Sequence, residues 1–389
     1  MKIVVLGSGR QGCVAAQDLA RAGHRVTVVD ASKRNLKRIA KIKNIKTLQL
    51  DVKRSRVLVK TMSKFDIVLG ALPSALGFYS MKCAIDAGVD MVDMSYLPQD
   101  PFLLDRAARK KRIKIVPDAG FAPGLSNVLI GEAYQELGKI DRLTILVGGL
   151  PQTPRPPFNY RITWSPADLI EEYTRPARIV KKFKTVVLEA LTGIEEFTVP
   201  KIGRLECFYT DGLRTLLRTM PFVRDMEEKT IRYPGHAYLV KALIAAGFFS
   251  DEKVMFEGNF MKPKDFSLEL LKRVLSQGDE RDLSILIIDI KTKKGMRKYT
   301  CIDYYDEEKK ITSMARMTAY TGSIITQCLK RYPGYGVVPP EYLGMNKTIT
   351  HFIKRELKKR HIMINVQQTN SCTKVRKLYV NIKPLRTTS

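Results

Sequence analysis

No stretch of this 389-residue sequence stays apolar for the roughly 18 residues that a membrane-spanning helix needs. The longest candidate, Tyr238 to Phe249, is broken by Lys241, so no membrane partner is expected. No leader is expected either, because Met1 runs directly into an apolar strand. Cysteine is sparse. The six residues Cys13, Cys83, Cys207, Cys301, Cys328 and Cys372 show no metal-ligand spacing. That argues against a zinc site or a disulfide framework, and for free thiols, no metal and a cytoplasmic setting. Acidic residues are also few, 39 against 67 Lys and Arg, which leaves a net charge of +28 and a pI near 9.8. The bases are spread through Lys33–Lys60, Arg106–Lys114, Arg175–Lys184 and the tail, with no nucleic-acid-binding signature among them. No specific nucleic acid is expected. The field suits attraction of an anionic cofactor.

The most informative segment opens the chain. Lys2-Ile3-Val4-Val5-Leu6 is an apolar strand that leads into Gly7-Ser8-Gly9-Arg10-Gln11-Gly12, a helix-spaced segment, and a second strand ending on Asp30. Strand, G-x-G-x-x-G, helix, strand and acid in this order describe a dinucleotide grip. Gly7 makes the tight turn, Gly9 admits the pyrophosphate and Gly12 lets helix and strand close up, with Arg10 and Gln11 at the helix start. Asp30 would accept bonds from the ribose hydroxyls and repel a 2′-phosphate, which favours NAD. Ser32, Lys33 and Arg34 follow it and leave NADP open.

Alternating strands and helices then continue a doubly wound parallel sheet, an α/β fold. Asp51 and Val52 end the third strand at the adenine edge, and Ala71, Leu72 and Pro73 end the fourth, beneath the ribose and nicotinamide. Ligands gather at the carboxyl ends of such strands, which makes Asp93, Tyr96 and Asp118 site candidates. Beyond Asp118 the alternation changes, and strands are expected near 142–147, 206–209, 284–290 and 299–305. A helix at 312–329 is expected to return to the first domain. The expected domains are 1–122 (with the return at 312–345), 123–311, and a basic extension at 346–389, part helix and part disordered.

Five segments together resemble the saccharopine dehydrogenase family, and within it the L-lysine 6-dehydrogenases. They are Pro117-Asp118-Ala119-Gly120-Phe121-Ala122-Pro123-Gly124-Leu125, Val147-Gly148-Gly149-Leu150-Pro151 with Pro156-Pro157, Trp164-Ser165-Pro166, Lys229 to His236, and Ser313-Met314-Ala315-Arg316. The resemblance covers Met1 to about Met345. It implies an inserted α/β substrate and dimerisation domain with an open mixed sheet, an active site in an interdomain cleft, and a homodimer. Where saccharopine reductases carry Gly-Leu-Asp-Pro-Gly, this chain has Gly120-Phe121-Ala122-Pro123-Gly124, and they lack a counterpart of His236. Both departures point from saccharopine toward free lysine or a related amine.

Oxidising a primary amine requires that its ammonium first lose a proton, a task suited to histidine with an ordinary pKa of about 6.5. Of four histidines, only His236 lies in a site-like motif, so it is the candidate base, with Tyr96 and Asp118 next. Arg232 can fork onto a substrate carboxylate. Asp93 could hold the substrate ammonium, Trp164 could wall the pocket, and Asp211 could reach it. The expected activity is NAD-dependent oxidative deamination of the ε-amine of L-lysine, giving the semialdehyde and its cyclic piperideine carboxylate. A saccharopine- or carboxynorspermidine-type reductase is one alternative. A non-catalytic NAD-binding protein with nucleic-acid affinity is the other.

Overall fold

The computed structural model describes residues 1–370 and 383–384. Residues 1–138 build β1 (Lys2–Leu6), α1 (Arg10–Arg21), β2 (Arg25–Asp30), α2 (Lys33–Lys37), β3 (Ile45–Gln49), α3 (Ser55–Met62), β4 (Ile67–Gly70), α4 (Ser74–Ala87), β5 (Asp90–Asp93), α5 (Asp105–Lys110), β6 (Lys114–Val116) and α6 (Leu125–Leu137). Then come β7 (Ile140–Pro151), α7 (Pro166–Thr174), β8 (Ala177–Lys181), β9 (Lys184–Leu188), β10 (Glu195–Val199), β11 (Gly203–Tyr209), α8 (Leu216–Thr219), β12 (Asp225–Arg232), α9 (His236–Ala245), β13 (Val254–Phe256), β14 (Asn259–Met261), α10 (Pro263–Leu275), β15 (Asp282–Thr292) and β16 (Gly295–Tyr304). The chain ends with α11 (Ser313–Cys328), β17 (Gly336–Val337), α12 (Pro340–Gly344), α13 (Lys347–Lys359), β18 (Asn365–Asn370) and β19 (Lys383–Pro384).

Two compact units result, Met1–Gly138 with Ala315–Met363, and Lys139–Met314 with Ile364–Ser389. In the first, seven strands run in the order β17-β6-β5-β4-β1-β2-β3, all parallel. Parallel strands are covered on both faces, which is why Ile3 to Leu6 and Ile67 to Leu69 are wholly buried. The order reverses between β1 and β4, the switch point where dinucleotides lie in such sheets. Helix α6 packs closely with α12, so the chain leaves this unit at Gly138 rather than in the loop at 122.

The stretch from Asn346 is not simply an extension. Helix α13 buries Ile349, Phe352, Ile353 and Leu357 at helical spacing beneath a lysine-rich outer face. Arg360 just beyond it forks onto Asp18 of α1 at 2.7 and 2.9 Å. Strand β18 then pairs antiparallel with β16. The remainder of the expected extension, 371–382 and 385–389, lies outside the described residues, as does Cys372. The other five cysteines are free thiols.

The second unit is a ten-stranded mixed sheet. Its strands run β18-β16-β15-β7-β12-β11-β10-β19, with β8 and β9 attached beside β12. Among the described residues only the β7–β12 pair of this sheet is parallel. Side chains alternate across a strand, and the two faces of β11 and β12 differ accordingly. Leu205, Cys207, Ile231 and Tyr233 fill an apolar cluster on one face. Phe208 joins Tyr160, Leu169, Tyr173, Ala237 and Val240 on the other. The same alternation sends Glu206, Thr210, Glu228, Thr230 and Arg232 to that second face.

Candidate active site

The first unit offers a cradle for a dinucleotide. Gly7 takes a left-handed backbone (φ 95°) that turns β1 into α1. A Cβ on Gly12 would collide with the Gly7 carbonyl, so helix and turn are as close as glycine permits, whereas a Cβ on Gly9 would meet nothing within 4 Å. Among the described residues no side chain caps α1, and no acid stands in its first turn, which leaves the positive end of the helix available to phosphate oxygens. Asp30 Oδ2 accepts from the Ser8 N–H and hydroxyl, both at 2.8 Å, and Oδ1 accepts from the Ser32 N–H at 2.7 Å. These bonds pin the carboxylate between the glycine loop and the loop after β2. With two lone pairs on each oxygen, Oδ1 can still accept from a ribose hydroxyl. Asp51 accepts from the Lys53 N–H at 3.0 Å, and Val52 beside it is buried. Ala71 follows β4, its N–H bonded to Leu6 O at 2.9 Å, and Pro73 immediately precedes α4. The residues present therefore fit a dinucleotide.

Two carboxylates stand at the carboxyl ends of the neighbouring strands β5 and β6. Asp93 is wholly buried, and its Oδ1 accepts from the Ser95 N–H at 2.9 Å and from the Ser95 hydroxyl. Its Oδ2 meets no hydrogen-bond partner among the described residues. A Cβ on Gly70 would strike this carboxylate, so the glycine at the end of β4 makes room for it. Burial, with Asp118 nearby adding repulsion, pushes the Asp93 carboxyl up to about 6. Asp118 is buried and left-handed (φ 52°), a conformation aspartate tolerates better than most residues. Tyr96 is half-buried three residues past Asp93.

The second unit gathers His236, Arg232 and Trp164 around residues the motifs did not flag. His236 is buried at the start of α9. Its Nδ1 lies 2.8 Å from Phe158 O and its Nε2 lies 2.8 Å from Tyr173 Oη. A carbonyl can only accept, so Nδ1 carries the hydrogen and Nε2 accepts from the tyrosine hydroxyl. Burial, with Arg232 beside it, pushes the imidazole down to about 3. His236 is thus held neutral, and it does not titrate near 6.5 as an ordinary histidine would.

Arg232 donates to Glu172 at 2.7 Å, to Ile231 O at 2.8 Å and to Tyr173 Oη at 3.4 Å. Its guanidinium lies 4.5 Å over the Tyr160 ring, and Tyr160 Oη in turn accepts from Trp164 Nε1 at 3.1 Å. Glu206 sits opposite Arg232 in the β11–β12 register. It accepts from the Gly235 N–H at 2.8 Å and the Ala237 N–H at 2.7 Å, and so caps the helix that begins at His236. Asp211 instead receives both arms of Arg178 at 2.8 Å, away from His236's own contacts.

One row of bonds fixes a proton. Glu228 Oε2, Thr210 Oγ1, Thr230 Oγ1 and Glu172 Oε1 are linked at 2.6, 2.8 and 3.0 Å. Three hydrogen bonds need three hydrogens, and the two hydroxyls hold only two. Glu172 already accepts from Arg232 through its other oxygen, which leaves Glu228 as the place for the third. Burial pushes the Glu228 carboxyl up to about 8, in agreement with that count. A continuous row then joins Glu228 through Glu172, Arg232 and Tyr173 to His236.

One chain thus carries a doubly wound sheet with a cradle that fits a dinucleotide and a mixed-sheet unit with this acid–arginine–imidazole network. The chain belongs to the saccharopine dehydrogenase family. The family's NADP binding domain matches residues 3–116 and its C-terminal domain matches residues 120–362. The first unit is accordingly an NAD(P)-binding domain. The chain is 24% identical over 298 residues, 74% of its length, to the saccharopine dehydrogenase [NADP(+), L-glutamate-forming] of Pyricularia oryzae, of which it covers 66%. It is 27% identical over 227 residues, 54% of its length, to the alpha-aminoadipic semialdehyde synthase of Arabidopsis thaliana, of which it covers 21%. Among solved structures, it matches apo saccharopine dehydrogenase (L-Glu forming) from Saccharomyces cerevisiae with a TM-score of 0.75 at 20% identity, covering 95% of this chain and 99% of that one. Homospermidine synthase from Legionella pneumophila in complex with NAD matches with a TM-score of 0.67 at 14% identity, covering 97% and 94%. At these identities the two structures establish the shared α/β fold.

Proposed function

We propose that the protein is an NAD(P)-dependent dehydrogenase of a lysine-type amino acid, with oxidative deamination of the ε-amine of L-lysine as its reaction. The observation that carries this reading is the buried Arg232–Glu172 pair beside Tyr173 and His236. A cation and a carboxylate side by side are complementary to the α-carboxylate and α-ammonium of one zwitterion. Two other buried cations of this unit are engaged elsewhere, Arg161 with Glu280 and Lys229 with Glu195. A substrate with one carboxylate suits this arrangement better than saccharopine, which has three. The departures at Gly120–Gly124 and at His236 point the same way.

NAD(P) held by the Gly7–Gly12 loop and Asp30 would supply the hydride acceptor for the carbon bearing the amine. The protein's own groups hold the zwitterion, keep the imidazole neutral and take the ammonium proton. Because His236 is both doubly bonded and weakly basic, Tyr96 and Asp118 are proposed for the proton, with His236 holding the Tyr173 hydroxyl in place. Water then adds to the imine and ammonia leaves. Asp93 and Trp164 are proposed as substrate contacts, and Asp211 as a support through Arg178.

The second reading is oxidation of saccharopine, favoured by the names of the relatives. Purified protein with NAD or NADP would be assayed for reduced cofactor on L-lysine, saccharopine and cadaverine. Lysine is expected to turn over fastest, and cadaverine poorly for want of the carboxylate. Turnover of saccharopine alone would replace the first reading with the second.

A further inference from the structure

Bases and acids nearly balance over Lys139–Met314, 30 against 25, whereas between Ser32 and Phe65 stand twelve Lys and Arg and a single acid, Asp51. That stretch folds into α2, β3 and α3 with the connectors around them. Strand β3 closes the seven-strand order, so its outer edge pairs with no other described strand. All twelve bases are exposed, and among the described residues none of them forms an ion pair. Lys33 with Lys37, and Arg56 with Lys60, stand four apart on their helices, the spacing at which like charges repel. An edge strand is commonly blunted by a lysine, a task that Lys46 performs alone. Edge protection therefore leaves most of the field unaccounted for.

The chemistry of the partner follows from what accompanies these charges. No Phe, Tyr or Trp lies between Ser32 and Phe65, so no ring is available to stack on an unpaired base. The exposed large apolar side chains of the stretch are Leu48 at 40% and Val57 at 47%, with no aromatic wedge to enter a lipid interface. A single phosphate group offers about three acceptor oxygens, too few for this field. What matches it is a regular array of phosphates. Strand β3 spans about 17 Å at roughly 3.3–3.4 Å per residue. Duplex nucleic acid carries one charge per about 1.7 Å of its axis, so on the order of ten phosphates pass over β3 and about half of them face the protein.

We infer that the α2–β3–α3 edge of the first unit binds the phosphate backbone of double-stranded nucleic acid without reading its sequence. Lys41, Lys43 and Lys46 meet the backbone as point charges, and each contact releases a counterion. The proposal is independent of the substrate. The full chain is titrated onto a fluorescein-labelled DNA duplex and followed by anisotropy at several salt concentrations, with K41A/K43A/K46A and a K293A/K294A control. Lys293 and Lys294 are exposed at the β15–β16 turn of the second unit. With about five phosphates engaged at about −0.9 each, the log–log salt slope of the wild type is expected near about −4.5, with a Kd of about 10⁻⁴–10⁻⁶ M at physiological salt. The triple variant is expected to bind at least about tenfold more weakly, with a slope shallower by about 3. The control is expected to match the wild type. Equal NAD(P)H binding by all three proteins would show that the triple variant is folded. No binding by the wild type at physiological salt, or an unchanged slope in the triple variant, overturns the proposal. So does tighter binding to a single strand or to phosphatidylserine vesicles than to the duplex, which would assign the edge to unpaired bases or to lipid.

Discussion

Replacing Glu228 with Gln should make the second unit more stable at alkaline pH, the reverse of the usual outcome for a buried polar residue. The carboxyl is held near 8 in the folded protein against an ordinary 4.5. Between those values the native state keeps a proton that the unfolded chain has lost. Stability from this group is therefore fully present below pH 4.5 and is lost as pH rises through 8. The slope is about 1.4 kcal/mol per pH unit, so from pH 5 to pH 8 the wild type loses on the order of 4 kcal/mol. Glutamine has no proton to lose, and its side-chain amide can still bond the Thr210 hydroxyl. Near pH 5 the two proteins should unfold alike, and by pH 8 the variant should lead by most of that amount. Contributions from other titrating groups are shared and cancel in the difference. Trp164, the only tryptophan, sits beside the network, so its fluorescence during urea unfolding follows the second unit by itself. A difference between the two proteins that stays constant from pH 5 to pH 8 would refute both the proton count and the placement of that proton.

Gly9→Val should abolish NAD(P)H binding in a fluorescence titration while unfolding like the wild type. Gly12→Val should lower the stability of the first unit, because its side chain has the Gly7 carbonyl to displace. Equal behaviour of the two would remove the glycine loop from the cofactor. Asp30→Gly should shift the ratio of NADP to NAD affinity upward, at some loss of both, since the carboxylate also ties Ser8 to Ser32; an unchanged ratio would take Asp30 off the ribose. His236→Asn should lower kcat without erasing a kinetic inflection near pH 6.5, since an imidazole held near 3 does not produce one. Loss of that inflection would restore His236 as the base. Truncation after Met345 should destabilise the first unit by several kcal/mol, given about 2–5 kcal/mol for each large buried side chain removed and the four that α13 buries. A truncated chain with unchanged unfolding would return the segment to a dispensable tail.

The first unit was almost wholly legible because its signals are local. Glycines that only a tight turn requires, apolar runs of strand length and an acid at the end of β2 follow one another within thirty residues. The same holds for α3, expected over Ser55–Met62 and found there. Helix α13 was obscured by its own composition. Its four buried apolar positions stand among six charged residues and a histidine, and the spacing becomes plain only once the outer face is discounted.

The second unit was legible only in its motifs, for a physical reason. Its chemistry is assembled across strands by register, and a sequence does not announce which strand lies beside which. Glu206 faces Arg232 because β11 and β12 are antiparallel in one particular register. Glu172 and Tyr173 reach the same face from α7, some sixty residues earlier in the chain. A trace of this was available: in Lys229-Thr230-Ile231-Arg232 and Leu205-Glu206-Cys207-Phe208, polar residues punctuate strands otherwise rich in apolar ones. Polar groups placed in a buried strand must find partners, so each was a signal that a second polar element lay opposite. What the motif around His236 could not reveal is how fully those partners would satisfy it. A histidine read alone carries its ordinary pKa, whereas one enclosed by Tyr173, Phe158 and Arg232 does not. The same enclosure that disqualifies it as a neutral-pH base makes it a fixed acceptor, able to hold one hydroxyl in one orientation.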